Sequence, residues 1–280
     1  MGIFRYSWKS AIRESGIWGI AALFAFPLYV TVVLALKSNS AVYLHPLSLP
    51  THPDFSNFST AWSQSSGTAS VARAFLNNVI ITTSVVSLTI VLGGLCSYTL
   101  ARRTSKLSTV LYVTFVIGLV MPYQLGIVPL YVLLRHLNLI GTYPGIILLQ
   151  TGLYLPLTVF LFTGFIRALP REYEEAAEVD GASFPRTLLR VVLPLLLPIT
   201  GTVAILVGVF TWNEFFLSII FLGGTAKVPL SVAIYSFAGQ FTSQWNLIFA
   251  AVLISIAPIL AFYLFAQRQL VKGLTGGIRG

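Results

Sequence analysis

The most informative stretch of the sequence is LPREYEEAAEVDGASFP, residues 169–185. It holds five of the eight acidic residues of the chain, although the chain as a whole has a formal net charge of +9. An acidic segment is repelled by an anionic membrane leaflet. Apolar runs at residues 144–166 and 199–222 lie on either side of it. We therefore interpret it as a polar loop between two membrane spans, and we expect it to face another protein.

Local signals within this stretch predict two helices joined by a turn. Pro170 suits a first helical turn, and the glutamates that follow it suit the positive end of a helix dipole. Gly181 is a typical helix stop, and Ser183 can cap the next helix through its side-chain oxygen. The prediction is a short exposed helix over residues 171–180, then a turn, then a second helix that leads into the membrane.

The composition of the whole chain is that of an integral membrane protein. Of its residues 56% are hydrophobic and 9% are charged, and the mean hydropathy is +0.86. Soluble domains carry about 25% charged residues, and about 20 apolar residues span a bilayer. Six runs meet that length, which predicts an all-α membrane protein with one transmembrane domain over residues 1–280. The predicted spans are residues 17–36, 76–101, 109–134, 144–166, 199–222 and 247–267.

The distribution of basic residues predicts the orientation of these spans. If the N-terminus is cytoplasmic, 13 of the 17 Lys and Arg residues fall on cytoplasmic segments and four fall outside. Basic residues are enriched in cytoplasmic loops. Both termini and the loop at residues 167–198 are therefore predicted to be cytoplasmic.

The sequence carries no pattern typical of an enzyme. It contains no GxxxxGK[ST] motif for nucleotide phosphates, no HExxH and no GxSxG. Cys96 is the only cysteine, so there is no intrachain disulfide and no cysteine-rich metal site. No nucleic-acid-binding motif accompanies the positive charge. We predict a non-catalytic protein that binds no cofactor itself.

The acidic loop resembles the EAA loop of ABC-importer permeases, whose pattern is EAA-x3-G-x9-I-x-L-P. Glu175-Ala176-Ala177 is followed after three residues by Gly181, and after nine more by Val191, which replaces the isoleucine conservatively. Further segments resemble the second permease of maltose-type carbohydrate importers. They are SYTLAR (97–102), MP (121–122), PLY (129–131), WNEF (212–215) and GLTGGIRG (273–280).

The resemblance implies a type I ABC importer permease fold in a bacterial or archaeal plasma membrane. It also implies a second permease subunit as heterodimer partner, two ATPase subunits that hold ATP and Mg, and an extracytoplasmic solute-binding protein. The residues that it assigns to ATPase coupling are Glu172, Glu174, Glu175, Ala176, Ala177, Asp180 and Gly181. Its candidate ATPase-contacting tail contains Gly273, Thr275 and Gly277.

Trp212, Asn213 and Glu214 are the candidates for a substrate path or gate. An acid inside an apolar run is costly and usually faces a cavity or a partner. Glu214 could therefore line a sugar path together with its two neighbours, or it could form a hydrogen bond that locks helices. The sequence leaves open an ABC permease for a non-sugar solute and an ion-coupled secondary transporter.

Overall fold

The computed structural model describes residues 8–64, 68–236 and 244–276, with Lys9, Ala11 and residues 262–276 described by their backbone alone. Helices form the regular structure, and no β-strand occurs in these ranges. In chain order the α-helices are α1 (Trp8–Ala35), α2 (Asn39–Leu44), α3 (Ser56–Ser63), α4 (Val71–Arg102), α5 (Lys106–Val120), α6 (Ile127–His136), α7 (Tyr143–Ala168), α8 (Glu172–Val179), α9 (Phe184–Thr187), α10 (Leu193–Leu195), α11 (Leu197–Trp212), α12 (Phe216–Leu222), α13 (Leu230–Ser236) and α14 (Trp245–Gly276).

The chain divides into two compact units. The first comprises residues 1–72 and 233–258. Within it, the Asn57 amide donates hydrogen bonds to the carbonyls of Ala35 (2.9 Å) and Lys37 (2.8 Å), and it accepts one from Asn246 (2.8 Å). Asn57 is buried, so its amide joins the end of α1, α3 and the start of α14. The ammonium of Lys37 is also buried and donates to the carbonyl of His45, which holds the following loop.

The second unit comprises residues 73–232 and 259–280, and α7 lies at its centre. This helix packs against α5, α11 and α12. It also approaches α4 closely, because the Ser97 hydroxyl donates to the Val159 carbonyl at 3.2 Å. A Cβ at Gly93 would overlap the Thr158 side chain, so this contact requires glycine. Small residues at helix contacts are typical of membrane bundles.

Three described helical segments are long and apolar enough to cross a membrane, namely Ile12–Ala35, Val71–Arg102 and Tyr143–Ala168. The count rises to five if each of two bent helix pairs is one span. The first, second and fourth predicted spans correspond to these three helices. The sixth lies on α14, in which the described apolar part is Trp245–Ala261.

The third and fifth predicted spans are not single helices. The third is bent by 97° between Lys106–Val120 and Tyr123–His136. Pro122 lies at this bend, where it lacks a backbone donor and forces Met121 into an extended conformation (φ −69°, ψ 126°). The fifth was predicted to run over residues 199–222, but α11 ends at Trp212 and α12 begins at Phe216. A further bend of 70° separates Phe184–Leu195 from Leu197–Trp212.

Candidate functional site

The predicted exposed helix exists as α8, whose first turn contains Glu172, Glu174 and Glu175. Acidic side chains at this end are stabilised by the helix dipole. The helix begins at Glu172 with Arg171 as its N-cap residue, so Pro170 lies before the helix rather than in its first turn. The predicted cap at Ser183 is also only partly right. Ser183 occupies the N-cap position of α9, but its side chain forms no capping hydrogen bond.

Gly181 terminates α8 as predicted, and the hydrogen bonds identify the motif. Gly181 has φ +76°, and its N–H donates to the Glu178 carbonyl at 3.0 Å. The N–H of Ala182 donates to the Ala177 carbonyl at 2.9 Å. These two bonds form a Schellman motif, which requires a left-handed residue just after the helix. A Cβ at Gly181 would meet no atom of the chain within 4 Å, so the constraint within this chain is conformational rather than steric.

The outer face of α8 is acidic and also apolar. Four acidic residues are exposed, namely Glu172, Glu175, Glu178 and Asp180. Ala176 is exposed and Ala177 is half-buried. Val179 is 88% exposed, and Phe184 just beyond the turn is 63% exposed. Neither apolar residue was singled out from the sequence, because the sequence does not show whether a single apolar side chain is exposed or buried.

Glu174 differs from the other acids of α8 because it faces the chain itself. Its Oε1 forms an ion pair of 2.6 Å with the Arg102 guanidinium, and its Oε2 accepts a hydrogen bond of 2.8 Å from the Tyr98 hydroxyl. Both partners lie in the last turns of α4. Arg102 also donates to the Leu169 carbonyl at 3.3 Å. Glu174 therefore faces α4, and its predicted part in ATPase coupling stays a prediction.

Arg102 and Tyr98 were missed as partners of the acidic helix. They lie 72 and 76 residues from Glu174 in the chain, so no local pattern connects them. In the sequence, Arg102 is a basic residue at the end of a span and the last residue of the SYTLAR segment. The available signal was the segment SYTLAR itself, which places an aromatic hydroxyl and a cation four residues apart on one helix face.

The second candidate group, Trp212, Asn213 and Glu214, lies at the break between α11 and α12. Glu214 is 9% exposed, and its carboxylate accepts hydrogen bonds from the backbone N–H groups of Leu217 (2.7 Å) and Ser218 (2.9 Å). It therefore caps the first turn of α12, whose N–H groups have no partner within the helix. The carboxylate also accepts hydrogen bonds from the Ser218 hydroxyl at 2.8 Å and from the Gln150 amide at 3.4 Å.

The neighbours of Glu214 have structural contacts as well. The Asn213 amide donates to the Val209 carbonyl at 2.8 Å, one turn back in α11. The Trp212 carbonyl accepts a bond of 3.2 Å from Asn78 of α4, and its ring packs edge-on against Phe75. These contacts fix the break between α11 and α12 against α4 and against the preceding turn of α11. Contact of the three residues with a solute stays a prediction.

The third candidate group is only partly described. Gly273 and Thr275 lie in the last turn of α14, which continues to Gly276. Gly277 lies outside the described residues. The predicted contact of this tail with an ATPase therefore stays a prediction.

A family model described as "Binding-protein-dependent transport system inner membrane component" matches residues 89–276. This range includes α8, the latter part of α4 and the break at Glu214. The melibiose/raffinose/stachyose import permease protein MelC of Bacillus subtilis is 34% identical over 259 residues, which cover 92% of each chain. The diacetylchitobiose uptake system permease protein NgcG of Streptomyces coelicolor is 32% identical, over 93% of this chain and 85% of the relative.

The fold also matches a solved structure. A chain of a bacterial ABC transporter involved in the import of the acidic polysaccharide alginate superposes with a TM-score of 0.81. The match covers 94% of this chain and 98% of the other, at 20% sequence identity. At that identity the likeness concerns the fold alone.

Proposed function

The chain belongs to the family of binding-protein-dependent transport system inner membrane components, and we propose that it is a permease subunit of an ATP-binding-cassette importer that forms half of the translocation path for a carbohydrate. The family match and the names of the relatives, which include permeases for melibiose, raffinose and diacetylchitobiose, carry this proposal. An ABC permease for a non-sugar solute is the alternative.

In this proposal α8 is the element that docks on a cytoplasmic ATPase subunit. Its exposed acids give it a charge that an anionic leaflet repels, so lipid is a poor partner for this face. Val179 and Phe184 are exposed apolar side chains at the end of α8 and just beyond its turn, and a protein partner would bury them. An isolated helix of eight residues is also marginal in water, so docking would stabilise it.

The remaining parts of the importer are supplied by other chains. The permease pairs with a second permease subunit, and two ATPase subunits bind ATP and Mg and perform the hydrolysis. An extracytoplasmic solute-binding protein delivers the sugar. The permease itself is non-catalytic, and it resides in a bacterial or archaeal plasma membrane with six spans and both termini in the cytoplasm.

An ion-coupled secondary transporter is a poorer proposal because it needs an intramembrane site for the coupling ion. The buried carboxylate of Glu214 is occupied by two backbone N–H groups and the Ser218 hydroxyl. The family to which the chain belongs is also described as binding-protein-dependent, and this description names no ion gradient.

Reconstitution tests the proposal. The chain is co-expressed with the second permease, the ATPase and the binding protein, purified through a tag on this chain, and placed in vesicles. We expect the ATPase to co-purify and ATP to drive uptake of an oligosaccharide from a panel of galactosides, chito-oligosaccharides and malto-oligosaccharides. An amino acid serves as the non-sugar control. Absence of the ATPase would contradict the importer, and uptake of the amino acid alone would contradict the sugar assignment.

The orientation can be tested separately with a variant that has no cysteine, Cys96→Ser. Thr51 and Thr104 are both exposed and lie on opposite sides of the membrane in the proposed topology. Thr51→Cys should react with an impermeant thiol reagent in intact cells, and Thr104→Cys should react only after lysis. The opposite pattern would exclude cytoplasmic termini.

A further inference from the structure

Two helices that are far apart in the sequence are joined at the cytoplasmic helix α8. Tyr98 and Arg102 of α4 bind the two oxygens of Glu174, and we call these three side chains the α4–α8 latch. The Tyr98 hydroxyl is 2.8 Å from Oε2, and the Arg102 Nε is 2.8 Å from Oε1. Because each oxygen has its own donor, the carboxylate is fixed in orientation as well as in position.

The latch is sheltered from solvent. The side chains of Arg102 and Glu174 are 13% and 15% exposed, and Tyr98 is buried. Exposed ion pairs are weak because water screens them and their side chains are mobile, whereas sheltered charge-assisted hydrogen bonds hold a defined geometry. The Arg171 side chain adds a return contact, since it donates to the Arg102 carbonyl at 3.2 Å.

The rest of α8 is attached elsewhere. It packs against α9 and the π-helical turn Leu188–Val192, and this segment continues through α10 into α11. The centroid of the Phe184 ring in α9 also lies 5.7 Å from the centroid of the Tyr98 ring. Thus α8 is connected along the chain to α7 and α11. Through the latch it is also connected to α4, an apolar helix of 32 residues long enough to cross the membrane.

We propose that the α4–α8 latch makes α4 follow any displacement of α8, so that Tyr98, Arg102 and Glu174 are positioning residues that transmit ATPase movement to a membrane helix. This inference rests on the proposed function. It separates the acids of α8 into two groups, with Glu174 directed to the permease and the exposed acids directed to the partner. Without the latch, α8 would still dock, but its motion would no longer reach α4 through Glu174 and would reach the membrane mainly along the chain, back to α7 and on to α11.

The test measures sugar transported per ATP hydrolysed by the reconstituted complete importer. The variants are Glu174→Gln, Arg102→Gln and the charge exchange Arg102→Glu with Glu174→Arg. The control is Arg103→Gln, which removes an exposed guanidinium next to the latch. For Glu174→Gln and Arg102→Gln we expect normal co-purification of the ATPase and a transport-to-hydrolysis ratio lowered by about fivefold or more. The Arg103 control should keep the wild-type ratio.

The charge exchange should recover part of the ratio. An arginine at position 174 can still donate a hydrogen bond to the Tyr98 hydroxyl oxygen. A glutamate at position 102, however, cannot donate to the Leu169 carbonyl. A wild-type ratio in both single variants would overturn the proposal. So would loss of ATPase binding in the single variants, because that result would make the latch part of the docking surface.

Two conservative variants keep the test decisive if the single variants do not accumulate. Arg102→Lys retains the charge but not the forked geometry, and Tyr98→Phe removes one hydroxyl. Both should lower the ratio with normal assembly, and unchanged ratios would overturn the proposal. Failure of the proposed function is a distinct result, since the wild-type importer would then show no ATP-dependent uptake.

Discussion

Glu174 and Glu214 are both sheltered acids in a chain that has only eight acidic residues, yet the chain uses them in opposite ways. The side chain of Glu174 is 15% exposed and Glu214 is 9% exposed. Glu174 reaches across 72 residues to a cation on α4, whereas Glu214 binds N–H groups three and four residues ahead of it. The long-range charged contact of Glu174 can couple two helices, whereas the local cap formed by Glu214 stabilises a single helix.

The difference follows from the partners available at each place. Glu214 lies at a break in an apolar region, where the first N–H groups of α12 lack carbonyl partners and would be costly to leave unpaired. Glu174 on α8 lies beside the polar end of α4, where the Arg102 side chain is available. The comparison predicts that substitutions at Glu214 act mainly on folding, and that substitutions in and around α8 act mainly on coupling.

The largest effect on stability should come from Glu214→Ala. This change leaves the N–H groups of Leu217 and Ser218 without an acceptor, and each unpaired buried donor costs about 1–3 kcal/mol. Glu214→Gln is the matched control, because its amide oxygen can still accept one of these bonds. Thermal unfolding of the purified chain in detergent should show a much lower midpoint for the alanine variant. Equal midpoints for the two variants would contradict the capping role.

The same pair of variants also tests the candidate sugar path. If Glu214→Gln transports sugar with wild-type affinity and rate, the negative charge has no role in translocation. A large loss of affinity in a variant of normal stability would instead assign Glu214 to the path.

Gly181→Trp should abolish coupling while leaving the chain inserted. The positive φ of Gly181 costs a side-chain-bearing residue about 1–2 kcal/mol, and a bulky group in a packed interface costs about 1–3 kcal/mol more. Gly181→Asn is the control, because asparagine tolerates this conformation and is small. We expect the tryptophan variant to lose ATPase co-purification and the asparagine variant to retain most of it. Equal binding by both would exclude a close contact at this turn.

Ala177→Asp should weaken ATPase binding to a smaller extent. Ala177 is half-buried on α8, so an added carboxylate would have to be desolvated against a partner. Ala177→Ser has a similar small volume without the charge and serves as control. The binding constant for the ATPase should weaken about tenfold in the aspartate variant, which corresponds to about 1.4 kcal/mol. Wild-type affinity would place the partner on another face of α8.

The smallest effect should come from Tyr98→Phe, which removes one hydrogen bond of the latch and keeps the ring. The loss of a typical hydrogen bond is about 0.5–1.5 kcal/mol, and the Arg102 ion pair remains. Combining Tyr98→Phe with Glu174→Gln should add little to the effect of Glu174→Gln alone, because both act on the same carboxylate. Additive losses in the transport-to-hydrolysis ratio would mean that Tyr98 acts independently of Glu174.

Much of this arrangement could be predicted from the sequence because it rests on local rules. The helix stop at Gly181 needs a left-handed residue, and the long apolar runs need lipid. The bend at Pro122 and the break at Glu214 could not be located from hydropathy, because each lies inside a run that is apolar and long enough to be read as one span. The partner of Glu174 could not be predicted either, since the contact depends on how α4 and α8 pack. Val179 was missed because exposure is a property of the fold.

The most direct test of the docking surface uses Val179, whose side chain is 88% exposed. A photo-reactive phenylalanine analogue is incorporated at position 179, and at Thr51 in the outer loop as control, in the complete importer. Illumination in membranes should link position 179 to the ATPase subunit and should link Thr51 to no ATPase. A cross-link from position 179 to lipid alone, in an importer that transports sugar, would contradict docking through α8.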